Sequence, residues 1–563
     1  MKNKILIVLL LALISLSGQA SIKYKFTKQE KTVCVKKRSL ADIPKQVYIA
    51  SDIRNQSFFR CTDLFSKPVE NIYESELFLK ENKKKEQRVL QEKKKDNNSF
   101  KDLCEIIDQY AENTLKKGNI NSLAISVYRD GKIYQQYYGQ IDKKSQKKPD
   151  DNTLYEIASI SKVFAGSLAA KAVIDKKIAL SDDIRMYLKG NYSNLEFEGV
   201  PITIENLLTH TLGFKDKTPK KLEKINEKTK EGYYQNRPFK YDMADLLKEL
   251  ETVKLDKKPG TIYNYNSVGP ELVAYILEQV YHKSYKELLQ NFLNEVDLKN
   301  TFLQDYDKHK KQLSLSFDQE GKVAPLDKNP LLGGAYGMIS SLPDLTKFME
   351  YQLKNDNPSI KESTRLLFKD EQDDDDKGYL WDVGYGQKEG FYYGKTGTSN
   401  GVQSGLLICP DSNYGMILIM NNKSDAALED WASLYNKIET ELIIYPKINL
   451  VSLLSADFKN NFDHASKKYK ELQKDTDKYL AGSFYLNNFG YELINENKIE
   501  KAIKIFELAI SYDLNNANLY DSLGEAYFIN KDYKKALTNY TKSLELNTLN
   551  ENAKKMIEKI NNL

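Results

Sequence analysis

Cysteine and histidine are both scarce in this sequence, with four of each among its 563 residues. Four cysteines are too few for a disulfide scaffold. Cys34 and Cys61 both lie near the N-terminus and are the pair that a disulfide would join, with two free thiols as the alternative. The histidines are scattered, and no spacing of cysteine and histidine resembles a zinc site. We therefore expect no metal and no cofactor.

A strong excess of one charge is absent as well. The chain has 84 basic and 79 acidic residues, which leave a formal net charge of +5. Proteins dedicated to nucleic acids carry a larger and more clustered basic excess, so we expect no nucleic-acid partner. Hydrophobic residues make up 41% of the chain, which is enough for packed cores. A chain of this length predicts roughly two to four structural units.

Long apolar runs are confined to the N-terminus. Lys2 and Lys4 precede an apolar run from 5 to 16, and Gly18 and Ala20 follow it as the small residues of a cleavage site. The run is shorter than the roughly 20 residues of a membrane-spanning helix. The pattern predicts a signal peptide at 1–20 and an exported protein, periplasmic or secreted, with no stable membrane span after cleavage. An uncleaved N-terminal anchor is the alternative.

The middle of the chain alternates between helical and strand-like patterns. After an N-terminal extension with a charged helix or linker at 21–100, apolar spacing predicts a helix and then two strands joined at Asp130 and Gly131. Two further apolar strands follow, on either side of a turn at 411–413. We expect an α/β (α+β) domain at 101–445, in which an antiparallel sheet is flanked by helices.

An internal repeat occupies the C-terminal region. Aligning its two copies superposes Gly490 on Gly524 and Phe506 on Tyr540, at the period of the tetratricopeptide helix–turn–helix unit. Small residues at the glycine positions let the two helices of a unit approach closely. The predicted segments are a helical linker at 446–482, repeats at 483–516 and 517–550, and a capping helix at the end of the chain.

One lysine stands within an otherwise apolar segment, "YEIASISKVFAG" at 155–166. The segment has the spacing of an amphipathic helix, which places Lys162 one turn after Ser159 and lets the amine reach the hydroxyl. A lysine kept from water loses part of its preference for the charged state and can act as a base. The two residues are a candidate nucleophile and base, although Ser-x-x-Lys also occurs by chance in a Lys-rich chain.

The sequence offers a tyrosine, rather than a Ser-His-Asp triad, as the partner of this pair. The chain contains no Gly-x-Ser-x-Gly nucleophile elbow, and the apolar neighbours of His210 indicate a buried structural histidine. Tyr265 lies with Asn266 and Ser267 in a polar loop just before a helical pattern. A phenol held near amines can be driven toward phenolate or can relay a proton.

A third element is "YYGKTGTSNG", in which Lys395 precedes Thr396, Gly397 and Thr398 on a predicted strand. The edge of such a strand can donate N–H groups to a developing oxyanion and lets an acyl group lie against the backbone. Lys-Thr-Gly alone is a weak signal. Ser-x-x-Lys, a tyrosine loop and Lys-Thr-Gly in this order form a specific combination.

With these motifs, the chain from about 101 to 445 resembles the serine β-lactamase and penicillin-binding-protein superfamily. The resemblance is to the branch with class C β-lactamases, D-Ala-D-Ala carboxypeptidases and related esterases. "ITIENLLTHTLGF" and "GGAYGMISSLPDLTKFM" are similar to two further segments of that family. The resemblance implies a β-lactamase-like fold, with the active site between a sheet-based and a helical subdomain.

The resemblance also implies roles for individual residues. It makes Ser159 the acyl-accepting nucleophile, Lys162 its proton acceptor and Tyr265 the general base or relay. It makes Lys395 the residue that binds a substrate carboxylate and tunes Tyr265. The backbone N–H groups of Ser159 and Thr398 would form the oxyanion hole.

The substrate-binding residues implied by the resemblance are Lys395, Thr396, Gly397, Thr398 and Ser267. Ser267 departs from the Tyr-x-Asn pattern of the family and is a shorter group for orienting Lys162 or substrate. Many relatives on this branch have histidine at the position of Lys395. A lysine there favours a carboxylate-bearing substrate over a neutral ester.

Two functions of different classes follow from these observations. The first is an exported serine hydrolase that acts through an acyl-enzyme on a D-peptide, a β-lactam or a related amide or ester. The alternative is a cell-envelope interaction protein that binds a partner through its tetratricopeptide repeats and has a vestigial hydrolase domain. In either case the repeats predict a protein partner or self-association.

Overall fold

The computed structural model describes residues 98–563 except 143, 145, 355 and 372–374, together with the backbone of two short strands nearer the N-terminus. The predicted signal peptide at 1–20, most of the predicted extension at 21–100, and Cys34 and Cys61 lie outside the described residues. Within the part that is described, every helix is either too short or too polar to cross a membrane.

Strands and helices alternate up to about residue 445, and helices predominate after it. The strands, in chain order, are β1 (Tyr48–Ala50), β2 (Phe58–Arg60), β3 (Ser122–Arg129), β4 (Lys132–Gly139), β5 (Leu154–Glu156), β6 (Glu196–Phe197), β7 (Val200–Pro201), β8 (Thr301–Leu303), β9 (Met338–Ser341), β10 (Asp376–Lys377), β11 (Asp382–Gly386), β12 (Gly390–Thr398), β13 (Gln403–Cys409), β14 (Tyr414–Met420), β15 (Ile448–Asn449) and β16 (Tyr479–Leu480). The helices are α1 (98–116), α2 (Ser161–Ile174), α3 (Ile204–Thr209), α4 (Lys220–Lys230), α5 (Met243–Leu250), α6 (Val268–Tyr281), α7 (Tyr285–Glu295), α8 (Leu342–Gln352), α9 (Pro358–Ser363), α10 (Asp425–Ile444), α11 (Leu450–Asn460), α12 (Phe462–Leu472), α13 (Ser483–Asn495), α14 (Ile499–Tyr512), α15 (Ala517–Ile529), α16 (Tyr533–Leu546) and α17 (Glu551–Asn561).

The central sheet has seven strands in the order β10-β11-β12-β13-β14-β3-β4, and each pair of neighbours is antiparallel. Strands β13 and β14 are buried at every residue, which requires apolar side chains on both faces. One face packs against α1 and α10 and the other against α2 and α8. The predicted turns at Asp130 and at 411–413 join β3 to β4 and β13 to β14. The structure therefore confirms the predicted antiparallel sheet flanked by helices.

The segment 155–166, predicted as one amphipathic helix, contains three elements instead. Strand β5 ends at Glu156, a 3-10 turn covers Ala158–Ile160, and α2 begins only at Ser161. Helix α2 is buried around almost its whole circumference, because α6, α7 and α9 pack on it. A helix enclosed in this way needs apolar residues on every face. The prediction of an amphipathic helix here was wrong.

The C-terminal region is a stack of helical hairpins. In the two repeats, Gly490 faces the ring of Phe506, and Gly524 faces the ring of Tyr540. A Cβ at Gly490 would lie 2.3 Å from the Phe506 ring, so the first helix of this repeat can approach the second only without a side chain. Helices α11 and α12 share the same apolar core. These contacts bear out the helix–turn–helix repeats predicted from the 34-residue period.

The repeats are joined to the sheet domain by polar contacts as well as by the chain itself. Tyr110 OH lies 2.8 Å from Ser452 Oγ of α11, and Lys437 Nζ of α10 pairs with Glu492 Oε1 of α13 at 2.9 Å. Lys478 Nζ pairs with a carboxylate oxygen of Asp102 at 2.6 Å. Strands β15 and β16 pair in parallel beside this junction. The helices after residue 446 are therefore docked on α1 and α10.

Candidate active site

Ser159 lies in the 3-10 turn directly before α2. Its Oγ accepts hydrogen bonds from Lys162 Nζ at 3.1 Å and from Tyr265 OH at 2.6 Å. The preceding residue, Ala158, has a φ of 44°. This left-handed conformation costs a residue with a Cβ roughly 1–2 kcal/mol. The structure thus brings the predicted serine, lysine and tyrosine together on a turn whose backbone is strained.

Lys162 is buried, with 1% of its surface exposed. Besides the bond to Ser159, its Nζ donates to the backbone oxygen of Ala335 at 2.8 Å. The ammonium also lies 4.9 Å from the centre of the Tyr265 ring. Lys162 is therefore held between the hydroxyl, the phenol and one backbone carbonyl.

The backbone that presents Ala335 is fixed by a buried carboxylate, Glu271 of α6. This side chain is completely buried and accepts hydrogen bonds from the N–H groups of Leu332, Gly333 and Ala335 at 2.9–3.0 Å, and from Asn329 Nδ2 at 2.8 Å. Burial raises the pKa of the Glu271 carboxyl, and these hydrogen bonds oppose the rise. Sequence reasoning missed Glu271. The available signal was an acid among the apolar residues of the first turn of α6.

Tyr265 is positioned by His210, which lies in the left-handed conformation at the end of α3. The N–H of Asn264 donates to the His210 backbone oxygen at 2.8 Å, and the N–H of Asn266 donates to its Nδ1 at 3.4 Å. Burial, together with the charges of nearby lysines, keeps the pKa of His210 well below its ordinary value, so the ring is neutral. The histidine is buried, in agreement with the structural role predicted for it.

The electrostatic surroundings of Tyr265 favour its ionised form. Burial alone would raise the pKa of the phenol, but the positive charges of Lys162 and Lys395 outweigh it, and the pKa lies below its ordinary value. The Nζ atoms of these lysines are 4.9 and 5.3 Å from the centre of the ring. A phenol with a lowered pKa can accept a proton from a neighbouring hydroxyl.

Lys395 lies on β12 and shares one carboxylate with a second lysine. Its Nζ is 3.0 Å from Asp382 Oδ2, and Lys377 Nζ is 3.3 Å from Asp382 Oδ1. Both lysine side chains are almost fully buried, whereas the Asp382 side chain is one quarter exposed. Sequence reasoning identified Lys395 but missed Asp382 and Lys377. They come from β11 and β10, and only the strand pairing reveals their proximity.

Strand β12 has a locally free edge beside the nucleophile. Strand β11 pairs only with Gly390–Gly394, and β13 pairs with 393–398. Within the described part of the chain, the Lys395–Thr398 segment therefore has β13 on one side and no sheet partner on the other. A Cβ at Gly397 would lie 2.3 Å from the Ile157 backbone oxygen and 3.1 Å from Ser159 N. The absence of a side chain at Gly397 thus permits contact between β12 and the Ser159 turn.

The remaining predicted binding residues surround this edge. Thr396 and Thr398 are exposed on β12, and Thr398 Oγ1 donates to Gln403 Oε1 at 2.5 Å. Ser267 is the residue before α6, and its side chain does not cap that helix. Among the described residues, no group of three or more His, Cys, Asp or Glu side chains has the arrangement of a metal site.

A second buried acid, Glu156, ties the nucleophile region to the turn after β12. It accepts hydrogen bonds from the N–H of Asp327 at 2.7 Å and from Ser399 Oγ at 3.2 Å. Burial, and secondarily the charge of Asp327, raises the pKa of Glu156 to about 8. Burial also raises the pKa of Asp327 to about 6, against the attraction of Lys423 and Lys230. Sequence reasoning missed this pair, which lies beside strand β5.

Comparison with known proteins identifies the families to which the two parts of the chain are similar. Residues 107–436, more than half of the chain, match the family model described as Beta-lactamase, and 485–516 and 517–548 each match a tetratricopeptide repeat model. Protein flp of Staphylococcus aureus (strain N315) is 23% identical over 371 residues, which are 63% of this chain and 70% of that protein. A beta-lactamase of Pseudomonas fluorescens is 27% identical over 255 residues, which are 45% of this chain and 65% of that protein.

Solved structures share the fold. The crystal structure of a beta-lactamase/D-alanine carboxypeptidase from Yersinia pestis, complexed with citrate, is 21% identical with a TM-score of 0.51. The superposition covers 61% of this chain and 98% of the other. At this level of identity the likeness concerns the fold. The chain belongs to the beta-lactamase family and carries two tetratricopeptide repeats after its beta-lactamase domain.

Proposed function

We propose that this protein is a serine hydrolase that works through an acyl-enzyme on Ser159. The observation that carries the proposal is the position of Ser159 Oγ, within hydrogen-bond distance of both Lys162 Nζ and Tyr265 OH. A serine hydroxyl needs a base at this distance to become a nucleophile. Tyr265, whose pKa is lowered, and Lys162, whose Nζ lies 3.1 Å from the hydroxyl, are the two groups that can exchange its proton.

Acylation begins when Ser159 Oγ attacks the carbonyl carbon of the substrate. The hydroxyl proton passes through Tyr265 to Lys162, which is the proton acceptor and whose charge also lowers the pKa of the phenol. As the tetrahedral intermediate collapses, the bond from the carbonyl carbon to the leaving nitrogen or oxygen breaks, and the leaving group takes the proton back through Tyr265. Water then attacks the ester on Ser159 by the same proton route and releases the acid.

The oxyanion of the intermediate is assigned to two backbone N–H groups, those of Ser159 and Thr398. The locally free edge of β12 and its contact with the Ser159 turn at Gly397 support this assignment. Donors preorganised in this way stabilise the charge that develops in the transition state. Thr396 and Gly397 give the acyl group a backbone surface to lie against.

The substrate is an acyl donor with a carboxylate, namely a D-peptide, a β-lactam or a related amide or ester. Lys395 supports this choice, because its ammonium is next to the free edge of β12 and close to Tyr265. Ser267 borders the same loop as Tyr265 and contacts the substrate or orients Lys162. The beta-lactamase relatives named above support the class of reaction, but they do not identify the individual substrate.

The proposal extends to the location of the protein and its partners. The N-terminal pattern of residues 1–20 supports export to the periplasm or the medium. The repeats support binding of a protein partner or of a second copy of the chain. A competing function is that of a cell-envelope interaction protein with a vestigial hydrolase domain, and the presence of Ser159, Lys162, Tyr265 and Lys395 weighs against it.

The test is covalent labelling with a fluorescent penicillin and with a chromogenic ester that carries a carboxylate. We expect an adduct on Ser159 by mass spectrometry in the parent protein and none in Ser159→Ala. Ser161→Ala is the matched control, because Ser161 Oγ faces the N–H of Met338 and not the site. An adduct on another serine contradicts the proposal. Labelling by the ester alone indicates an esterase, and labelling by neither reagent favours the interaction protein.

A further inference from the structure

The surroundings of Tyr265 have an excess of positive charge. The Nζ atoms of Lys162, Lys395 and Lys217 lie 4.9, 5.3 and 6.0 Å from the centre of the Tyr265 ring. A fourth ammonium, that of Lys377, lies 4.5 Å from the ring of Tyr263 in the same loop. Charges of one sign gathered in a cleft raise the local concentration of oppositely charged ligands.

Three of these lysines make hydrogen bonds or ion pairs with other residues of the protein. Lys162 donates to Ser159 and to the backbone of Ala335, and Asp382 pairs with both Lys377 and Lys395. These contacts hold the three ammonium groups in place when no substrate is bound. One carboxylate shared by two lysines leaves a net positive charge at the edge of β12.

Lys217 differs from the other three. It is exposed on the loop between Gly213 and Pro219, and among the described residues no carboxylate lies within 4.0 Å of its Nζ. The neighbouring Asp216 is exposed too and does not pair with it. The backbone of the loop is anchored at Phe214, which pairs with Leu255 in an isolated antiparallel β-bridge. Lys217 therefore presents a solvated cation to the tyrosine from an anchored loop.

The charge balance exceeds what one substrate carboxylate can neutralise. Four lysines against Asp382 leave about three positive charges around Tyr265, and about two when the phenol is ionised. Lys215 and Asp216, the exposed neighbours of Lys217 on its loop, carry opposite charges and leave this balance unchanged. A substrate with a single carboxylate leaves one cation of the site without a counter-charge.

We propose that the site takes acyl donors with two anionic groups, one bound at Lys395 beside β12 and the second at Lys217 on the 213–219 loop. The inference rests on the proposed function and specifies its substrate class. Two carboxylates held by separate elements orient the acyl donor across the cleft, as a single carboxylate cannot. Lys217 is then a specificity-determining residue.

The experiment compares two aryl esters that differ in one group, a second carboxylate that is free in one ester and methylated in the other. The proteins are the parent, Lys217→Gln and the matched control Lys215→Gln. The control changes an exposed lysine of the same loop whose backbone N–H donates to the Lys254 oxygen and which is not among the lysines found over the Tyr265 ring in the described part of the chain. We expect the parent to prefer the dianionic ester by about tenfold in kcat/KM at low ionic strength. Lys217→Gln should lose most of this preference, whereas Lys215→Gln should change it by less than about twofold.

A binding arm keeps this test separate from that of the proposed function. Calorimetry with Ser159→Ala, alone and combined with Lys217→Gln, measures the affinity of both esters without turnover. Tighter binding of the dianion that depends on Lys217 supports the inference even if the parent hydrolyses neither ester. Equal binding of the two esters, or a preference that Lys217→Gln leaves unchanged, overturns it.

Discussion

Gly397→Ala tests whether the contact between β12 and the Ser159 turn is essential for catalysis. The new Cβ would stand 2.3 Å from the Ile157 oxygen, 2.8 Å from Ser404 Oγ and 3.1 Å from Ser159 N. A carbon needs about 3.5 Å to a backbone atom, so the strand and the turn must separate by roughly 1 Å. A hydrogen bond of about 2.9 Å lengthened by this amount is no longer a hydrogen bond.

The expected loss is that of one oxyanion donor. Removal of such a donor lowers kcat by about 10²–10³, and overpacking of this kind costs about 1–3 kcal/mol of stability. The assay is steady-state hydrolysis of a chromogenic ester, with circular dichroism and thermal unfolding on the same samples. We expect kcat to fall by about 10² while the protein remains folded, because the change separates the donors and leaves the nucleophile in place.

Gly394→Ala is the matched control. It overpacks the same strand, since a Cβ there would lie 2.7 Å from the Leu406 oxygen, but it does so away from Ser159. This variant should lose stability and keep kcat within about fivefold of the parent. If Gly397→Ala retains kcat within about threefold of the parent, the reasoning that links this contact to the oxyanion donors is refuted.

Three further predictions concern the bases and the repeats. Lys162→Arg should be nearly as inactive as Lys162→Ala, because guanidinium does not give up its proton at working pH; retention of most ester turnover in the arginine variant would mean that only a fixed charge is needed. The kcat/KM of the parent should rise with pH over a range below the ordinary phenol pKa of about 10, because the lowered pKa of Tyr265 yields phenolate there. Tyr265→Phe should lose that rise and about 10² in rate. An unchanged pH profile in Tyr265→Phe would exclude the phenol as base. A chain ending near Pro446 should keep small-substrate turnover and lose association with a partner or with itself. It should melt at a lower temperature, because Tyr110 loses its hydrogen bond to Ser452 of α11. Size-exclusion mass, turnover and thermal unfolding test this, and loss of turnover in a folded product would mean that the repeats belong to the active site.

The sequence predicted one part of the site from short-range geometry, and the resemblance to a family supplied the distant residues Tyr265 and Lys395. Lys162 follows Ser159 by three positions, and a helical turn of either kind brings such residues together. The glycines of the repeats were equally predictable, because a close approach of two helices requires a missing side chain at a fixed period. The fold class followed from strand and helix patterns in the same way.

The parts that the sequence could not predict depend on contacts between distant segments. Asp382 reaches Lys395 only because β11 pairs with β12 in one register, and nothing near Asp382 in the sequence indicates that partner. Glu271 binds backbone N–H groups about 60 residues away. The segment at 155–166 was misjudged because a helix enclosed on all sides and an amphipathic one have similar short apolar patterns.

The docking of the repeats on α1 and α10 has a consequence for how the protein finds its substrate. Lys437 pairs with Glu492 of the first repeat, and Tyr110 and Lys478 link the preceding helical segment to the domain that carries Ser159, so a partner held by the repeats is not on a flexible tether. A flexible tether raises the effective concentration of every substrate within its reach, whereas a rigid one does so only for substrates at a matching distance and direction. For a substrate attached to a large scaffold, the repeats would then select which acyl groups are cleaved by their position, independently of their chemistry.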